Sequence, residues 1–199
     1  MDLDGVVRSR HMTREFLSDP IEPEVFESCV DLASRSPSAG KSQGWSLVVL
    51  EGASTRRYWD LALPPSKRET FAFPGLLNAP LLAIVCADPD AYLRRYSEPD
   101  KQSTGLGGDA AGWPAPYWTI DAAFATMTLL LALEDARLGA LFFAHSAERA
   151  VRSEFAIPDR VEILGILAVG HPDPAATRAG RSAARPRRRA SGIIHTNSW

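Results

Sequence analysis

Arginine is concentrated at the two ends of this 199-residue chain. Arg8, Arg10 and Arg14 surround His11 and Met12 near the start, and the segment from Arg178 to Arg189 holds six more arginines. A guanidinium is a planar fork of fixed donors that pairs with phosphate oxygens two at a time, so clustered arginines suit a phosphate held in one orientation. If both ends close on one phosphate, the chain binds a phosphorylated small molecule through its termini. The formal net charge is only −2 and the pI about 6.1, because 24 carboxylates offset the basic clusters. That balance argues against nucleic acid as a partner.

Other reactive side chains are sparse. Cys29 and Cys86 lie far apart in apolar stretches, without the paired spacing of a zinc or redox site, and read as core residues; no metal is expected. His145 follows an apolar run and reads as a loop histidine at a strand end, with proton donation as the competing role. The glycines at 105–108 do not form a dinucleotide fingerprint, since no strand feeds them and no lysine follows. No side chain is assigned as catalytic.

The elements that must position these residues follow from periodicity. Val25, Phe26, Cys29, Val30, Leu32 and Ala33 recur at helical steps between Pro23 and Ser36, with Pro37 ending the helix. Trp45 to Leu50, Leu81 to Ala87, Leu138 to Phe143 and Ile163 to Val169 read as strands, the second buried on both faces. A short helix is expected from Ala147 to Phe155. Residues 99–116, rich in glycine, read as a long loop without an element. Tyr117 to Arg137 reads as one helix, apolar around most of its circumference, which must be buried on all sides as a core spine or subunit interface. Its apolar run, from Ile120 to Leu133, contains Asp121 and is too short to cross a bilayer. With no signal-like N-terminus, a cytoplasmic protein with no membrane partner is expected. The whole is a single α+β domain over 1–199, in which 172–199 is an arm too poor in apolar residues to form a core.

Taken in order, these segments resemble the FMN-dependent nitroreductase family. The stretch from Arg8 to Phe16 resembles its opening motif, Arg35 to Trp45 its second motif, and Tyr117 to Ala125 with Leu129 to Ala132 its central helix; the basic tail and Trp199 add to the match. The resemblance implies a nitroreductase-like fold: a central mixed β-sheet flanked by helices, and a long core helix at an intertwined homodimer interface. It implies one FMN at each end of that interface, with hydride taken from NAD(P)H and passed to a nitroaromatic, quinone or enone in a ping-pong sequence. The same scaffold could run as a dehydrogenase or oxidase of a specialised metabolite, or hold flavin with little turnover.

Carried over residue by residue, Arg10, His11, Met12 and Arg14 are expected along the flavin's phosphate and ribityl side, and Arg187, Arg188 and Arg189 at the phosphate. Pro37, Ser38, Ala39, Lys41 and Gln43 are expected to reach the flavin from the other subunit, and Ala144 and His145 to lie where a backbone N–H meets flavin N5. Trp113, Tyr117, Trp118 and Phe124 are candidates for the substrate-side wall. Lys41 stands where many members carry asparagine, and residues 72–80 lack the lysine that better-studied members place at the pyrimidine edge. A cation there stabilises the reduced flavin, and Lys41 is the candidate replacement.

Overall fold

The computed structural model describes residues 1–176, 182 and 184–199, so Arg178 and Arg181 lie outside the described residues. Its order is α1 (Leu3–Ser9), α2 (Pro23–Ala33), β1 (Trp45–Glu51), α3 (Ala53–Ala62), α4 (Pro65–Arg68), β2 (Leu81–Ala87), α5 (Pro89–Tyr96), α6 (Tyr117–Asp135), β3 (Gly139–Phe143), α7 (Glu148–Glu154) and β4 (Glu162–Gly170). The four strands form one sheet in the order β1-β2-β4-β3, and every strand pairing is antiparallel, so within one chain the sheet is not the mixed one expected. A parallel bridge from Met12 to Ala140 ties the N-terminal segment to β3.

All seven residues of β2 are buried, as its unbroken apolar run requires. Side chains alternate across a strand, so the sheet has two cores. Leu82, Ile84, Cys86, Ile166 and Ala168 pack with Tyr58 and Trp59 of α3 and Val151 of α7. Leu81, Ala83, Val85, Leu167 and Val169 face the other way, onto Phe26 and Cys29 of α2 and Leu129, Leu130 and Leu133 of α6. The result is a sheet covered by helices on both faces. Pro23 opens α2 in the first turn, where its missing N–H costs nothing. That helix closes at Ala33 rather than Ser36, because Ser34 to Ser36 form turns ahead of Pro37.

Two further expectations change. Within one chain α6 is not buried all round: Phe124 is 49% exposed and Met127 43%, while Leu129 and Leu133 on the opposite side are fully enclosed. The stretch 99–116 is not a plain loop either. It carries short 3-10 turns at Gln102–Thr104 and Ala110–Gly112, and the Trp113 indole N–H donates to Leu106 O at 2.9 Å. A large ring buried in a loop fastens it as a helix face would, and composition alone does not announce that.

Both cysteines are buried and free. Burial pushes the Cys86 thiol up to about 11 against a smaller opposing pull from Arg152, and burial followed by Asp135 raises Cys29. Neutral, enclosed thiols are poor nucleophiles. A disulfide reagent at pH 8 should therefore label neither cysteine in native buffer and both after unfolding in guanidinium, read by absorbance of the released thiolate.

Candidate functional site

The N-terminal arginines are positioned by backbone. Arg10 caps the end of α1, its N–H donating to Val6 O at 3.0 Å. The chain then runs beside β3, where Thr13 N–H donates to Ala140 O at 2.9 Å and Met12 packs into both cores. One guanidinium nitrogen of Arg10, Nη1, is buried and has no partner. A buried charged donor without an acceptor is costly, so this one calls for an anion. His11 differs, lying exposed with Nδ1 3.2 Å from Ser9 O.

Arg14 sits at a cavity of about 380 Å³ lined by Trp59, Phe71, Phe73, Phe143, Ala144 and Ser146 among others. Its Nη1 donates to Met12 O at 3.0 Å and its guanidinium lies 5.4 Å from the centre of the Phe73 ring. Trp59 and Phe143 stack with centroids 5.9 Å apart. The cavity is aromatic and lined with spare donors. The Trp59 indole N–H is buried without an acceptor, His145 Nδ1 likewise has no partner, and the backbone N–H groups of Ala144, His145 and Ser146 make no hydrogen bond among the described residues. His145 Nε2 stands 3.8 Å from Glu148, which two nitrogens of Arg152 already engage.

The loop from Pro37 to Gln43 lies at the other face, between α2 and β1. Gly40, Lys41 and Gln43 all have positive φ, near 60°, 59° and 53°. Left-handed backbone at non-glycine residues costs about 1–3 kcal/mol each, so the loop must be held from outside. Asp121 Oδ2 accepts from Ala39 N–H at 2.7 Å, and Arg95 Nε donates to Gly40 O at 2.8 Å. Only glycine fits at position 40, since a Cβ there would meet the Tyr96 ring at 2.8 Å. Within the loop Ser38 Oγ accepts from Gln43 N–H at 3.2 Å, while Pro37, Lys41 and Gln43 are exposed. No hydrogen bond or ion pair holds the Lys41 ammonium among the described residues.

The structure thus brings Arg14 and Ala144 to one cavity, with Met12 and His145 close to them in the chain but not among its lining residues, and none of the 37–43 loop lines it either. Arg187, Arg188 and Arg189 are exposed, and among the described residues the hydrogen bonds of Ser182 and of 184–199 stay within that segment. Among the described residues no hydrogen bond or ion pair joins Arg10 or Arg14 to the tail. Trp113 and Trp118, at 8% and 7% exposure, form a buried aromatic cluster with Tyr92 and present little surface within one chain, because large rings behind a glycine-rich loop are the apolar material that can fasten it. Tyr117 and Phe124 do present surface.

Three features were not singled out from sequence: the aromatic cavity beside Arg14, the Asp121 contact and the Arg95 clamp. Asp121 had a visible signal, a lone charge inside an apolar helix. Phe71, Phe73 and Trp59 had none, since separated aromatics read as core.

The nitroreductase family model matches residues 7–171, and the chain belongs to that family. It is 26% identical to the 5,6-dimethylbenzimidazole synthase of Rhodospirillum rubrum, over 92% of this chain and 90% of that one. It is 24% identical to an NADH dehydrogenase of Thermus thermophilus, over 86% and 87%. A structure from Exiguobacterium sibiricum in complex with FMN shares the fold with TM-score 0.74 at 16% identity, covering 98% and 97% of the two chains.

The residues present fit an FMN. Partnerless Arg10 Nη1 suits a phosphate, and a flat aromatic cavity with unpaired N–H donors suits a ring bearing acceptors along its edge. The reassignment of Trp113 has its own test. Trp113→Ala should lower stability by about 3–5 kcal/mol, as removal of a core ring does, read as a shift in the urea unfolding midpoint.

Proposed function

We propose that this protein is an FMN-dependent oxidoreductase that takes hydride from NAD(P)H and reduces a small acceptor such as a nitroaromatic, quinone or enone. The observation that carries this reading is the pairing of an unsatisfied buried guanidinium with a donor-lined aromatic cavity on one stretch of backbone. Bound FMN supplies the redox chemistry, accepting a hydride and returning the electrons to the acceptor. Arg10 holds the phosphate. Arg14 sets positive charge at the cavity, where it favours the reduced, more negative flavin. The free N–H groups after β3 hold the ring edge, and Phe71, Phe73 and Trp59 keep water from it. Protons come from solvent.

The working unit in this reading is a homodimer. The exposed side of α6, with Phe124 and Met127, gives each copy an apolar face for the other. Strand β1 has one unpaired edge, and the groove beside it is lined by Phe26, Val30, Leu47 and Val49 with Glu27 and Glu51 at hand. The tail carries complementary groups, Arg187 to Arg189 followed by exposed Ile193 and Ile194. Exchange of tails would bring Arg187, Arg188 and Arg189 and the 37–43 loop of one copy to the flavin of the other. A second reading, a dehydrogenase or synthase of a specialised metabolite, is favoured by the Rhodospirillum rubrum relative, a synthase that this chain matches over nearly its whole length.

Purified protein should be yellow, and anaerobic NAD(P)H should bleach its flavin absorbance, which a nitroaromatic or quinone should restore. A flavin that only an organic donor reduces supports the second reading, and a colourless protein with no affinity for FMN contradicts both. Arg10→Ala should weaken FMN about tenfold or more, as loss of a charge-assisted bond does, while Arg56→Ala on the exposed face of α3 should not; fluorescence titration measures both. Arg14→Met should lower the flavin midpoint by roughly 20–45 mV, equivalent to about 1–2 kcal/mol of lost charge interaction for a two-electron couple. Lys41→Met is the comparison, and an equal or larger shift there would assign that charge to the loop lysine.

A further inference from the structure

The carboxylate of Asp121 has no role in the function just described, yet it is one of the few charged groups inside the fold, only 7% exposed. Asp121 is the one charged residue of α6 ahead of the Glu134–Asp135 end, and no cation faces it among the described residues. Both of its hydrogen bonds end on one oxygen: Tyr92 O–H donates to Oδ2 at 2.8 Å and Ala39 N–H at 2.7 Å. Burial first, and this carboxylate second, push the Tyr92 hydroxyl far above its ordinary value, so it stays a donor. Burying a carboxylate on two neutral donors is costly. A fold that only needed to fill this space would place an apolar side chain there.

What the carboxylate reaches is informative. Ala39 is the first residue of the 3-10 turn Ala39–Lys41, and the three positive-φ residues follow within four positions. That backbone does not hold its shape by intrinsic preference. Arg95 grips the next peptide through Gly40 O, and is itself fixed by two bonds to Asp100 at 2.7 Å each. Gly44 O accepts from Asp88 N–H at 2.8 Å and closes the far end. The loop is therefore pinned at three successive places by α5 and α6, and its polar side chains at Lys41 and Gln43 are left outward.

We propose that Asp121 is a positioning residue for flavin binding: through Ala39 N–H it holds the strained Pro37–Gln43 loop in the shape that meets the partner subunit's flavin. This rests on the dimeric FMN reading above. It acts as an acceptor for a backbone donor and not as a proton carrier. The role therefore survives replacement by asparagine, whose carbonyl oxygen can take the same two bonds, and fails with alanine.

The test uses the full-length protein. In ligand-free protein, hydrogen exchange of peptides covering Ala39 to Lys41 should be about tenfold faster or more in Asp121→Ala, as expected for a lost charge-assisted bond, with the amides of β2 unchanged. FMN affinity by fluorescence titration should fall by about the same factor, and Asp121→Asn should restore both to within about threefold of the original. Ala39→Pro removes the donor and displaces the Asp121 oxygen from it, while the backbone accommodates the ring: Ser38 is extended, φ −140° and ψ 144°, and the turn's first position suits proline. It should reproduce the loss of FMN affinity even if Asp121→Ala fails to fold. Thr126→Val removes another buried polar group of α6, one bonded only to Ala122 O, and should change neither loop exchange nor affinity. Unchanged loop exchange in Asp121→Ala, unchanged FMN affinity in Ala39→Pro, or no rescue by asparagine each overturns the proposal. An original protein that does not bind FMN at all would instead remove the functional reading, and the exchange measurement would still report on the clamp.

Discussion

Everything at the candidate site hangs on one backbone contact, the Thr13 N–H bond to Ala140 O that lays the N-terminal segment along β3. That short parallel pairing turns an arginine-rich segment, which would otherwise be solvated, into part of the sheet's edge. It fixes the spacing between Arg10, whose guanidinium has a buried and unanswered nitrogen, and Arg14, whose charge stands over an aromatic cavity. Side-chain entropy makes long arginines poor rulers by themselves. Here the backbone supplies the rigidity.

The same logic, applied to donors and acceptors, separates the molecule's two faces. Trp59 on the α3 side and the peptide groups after β3 carry N–H donors with no partner among the described residues, as does Arg10 at the end of α1. Buried polar groups in folded proteins are overwhelmingly paired, so a run of unpaired donors describes the ligand by complement: anionic at one end, flat, with acceptors along its rim. On the α6 side a buried carboxylate spends both bonds on neighbours to hold a loop of unfavourable backbone.

Much of this was legible in the sequence, and the limits have physical causes. Strands β2 and β4 stood out because an unbroken apolar run bounded by turn residues has few other readings, and α6 because of its length and composition. Arg10 and Arg14 were legible as candidates for an anion site from residue type, and the family resemblance assigned them to it. The exposed side of α6 was not, since an all-round apolar helix looks the same whether its last face is covered by the same chain or by another. Trp113 was misleading for a related reason: a tryptophan in a glycine-rich loop resembles a ligand-facing ring, and only the packing against Tyr92 and Trp118 shows it fastening the loop. The positive φ of Lys41 and Gln43 has no residue-type signature at all, because it is imposed by Asp121 and Arg95 from distant parts of the chain.

The central claim is that the arginines at the chain's ends hold a phosphate, while the aromatic cavity takes the ring. Comparing FMN with riboflavin, the same ring and side chain without the phosphate, in titrations of the ligand-free protein tests it most directly. The account predicts that FMN binds about tenfold more tightly or better, as charge-assisted contacts require, and that added salt narrows the difference. Equal affinity for the two would contradict it, and would leave Arg10 and the basic tail without the partner their chemistry demands.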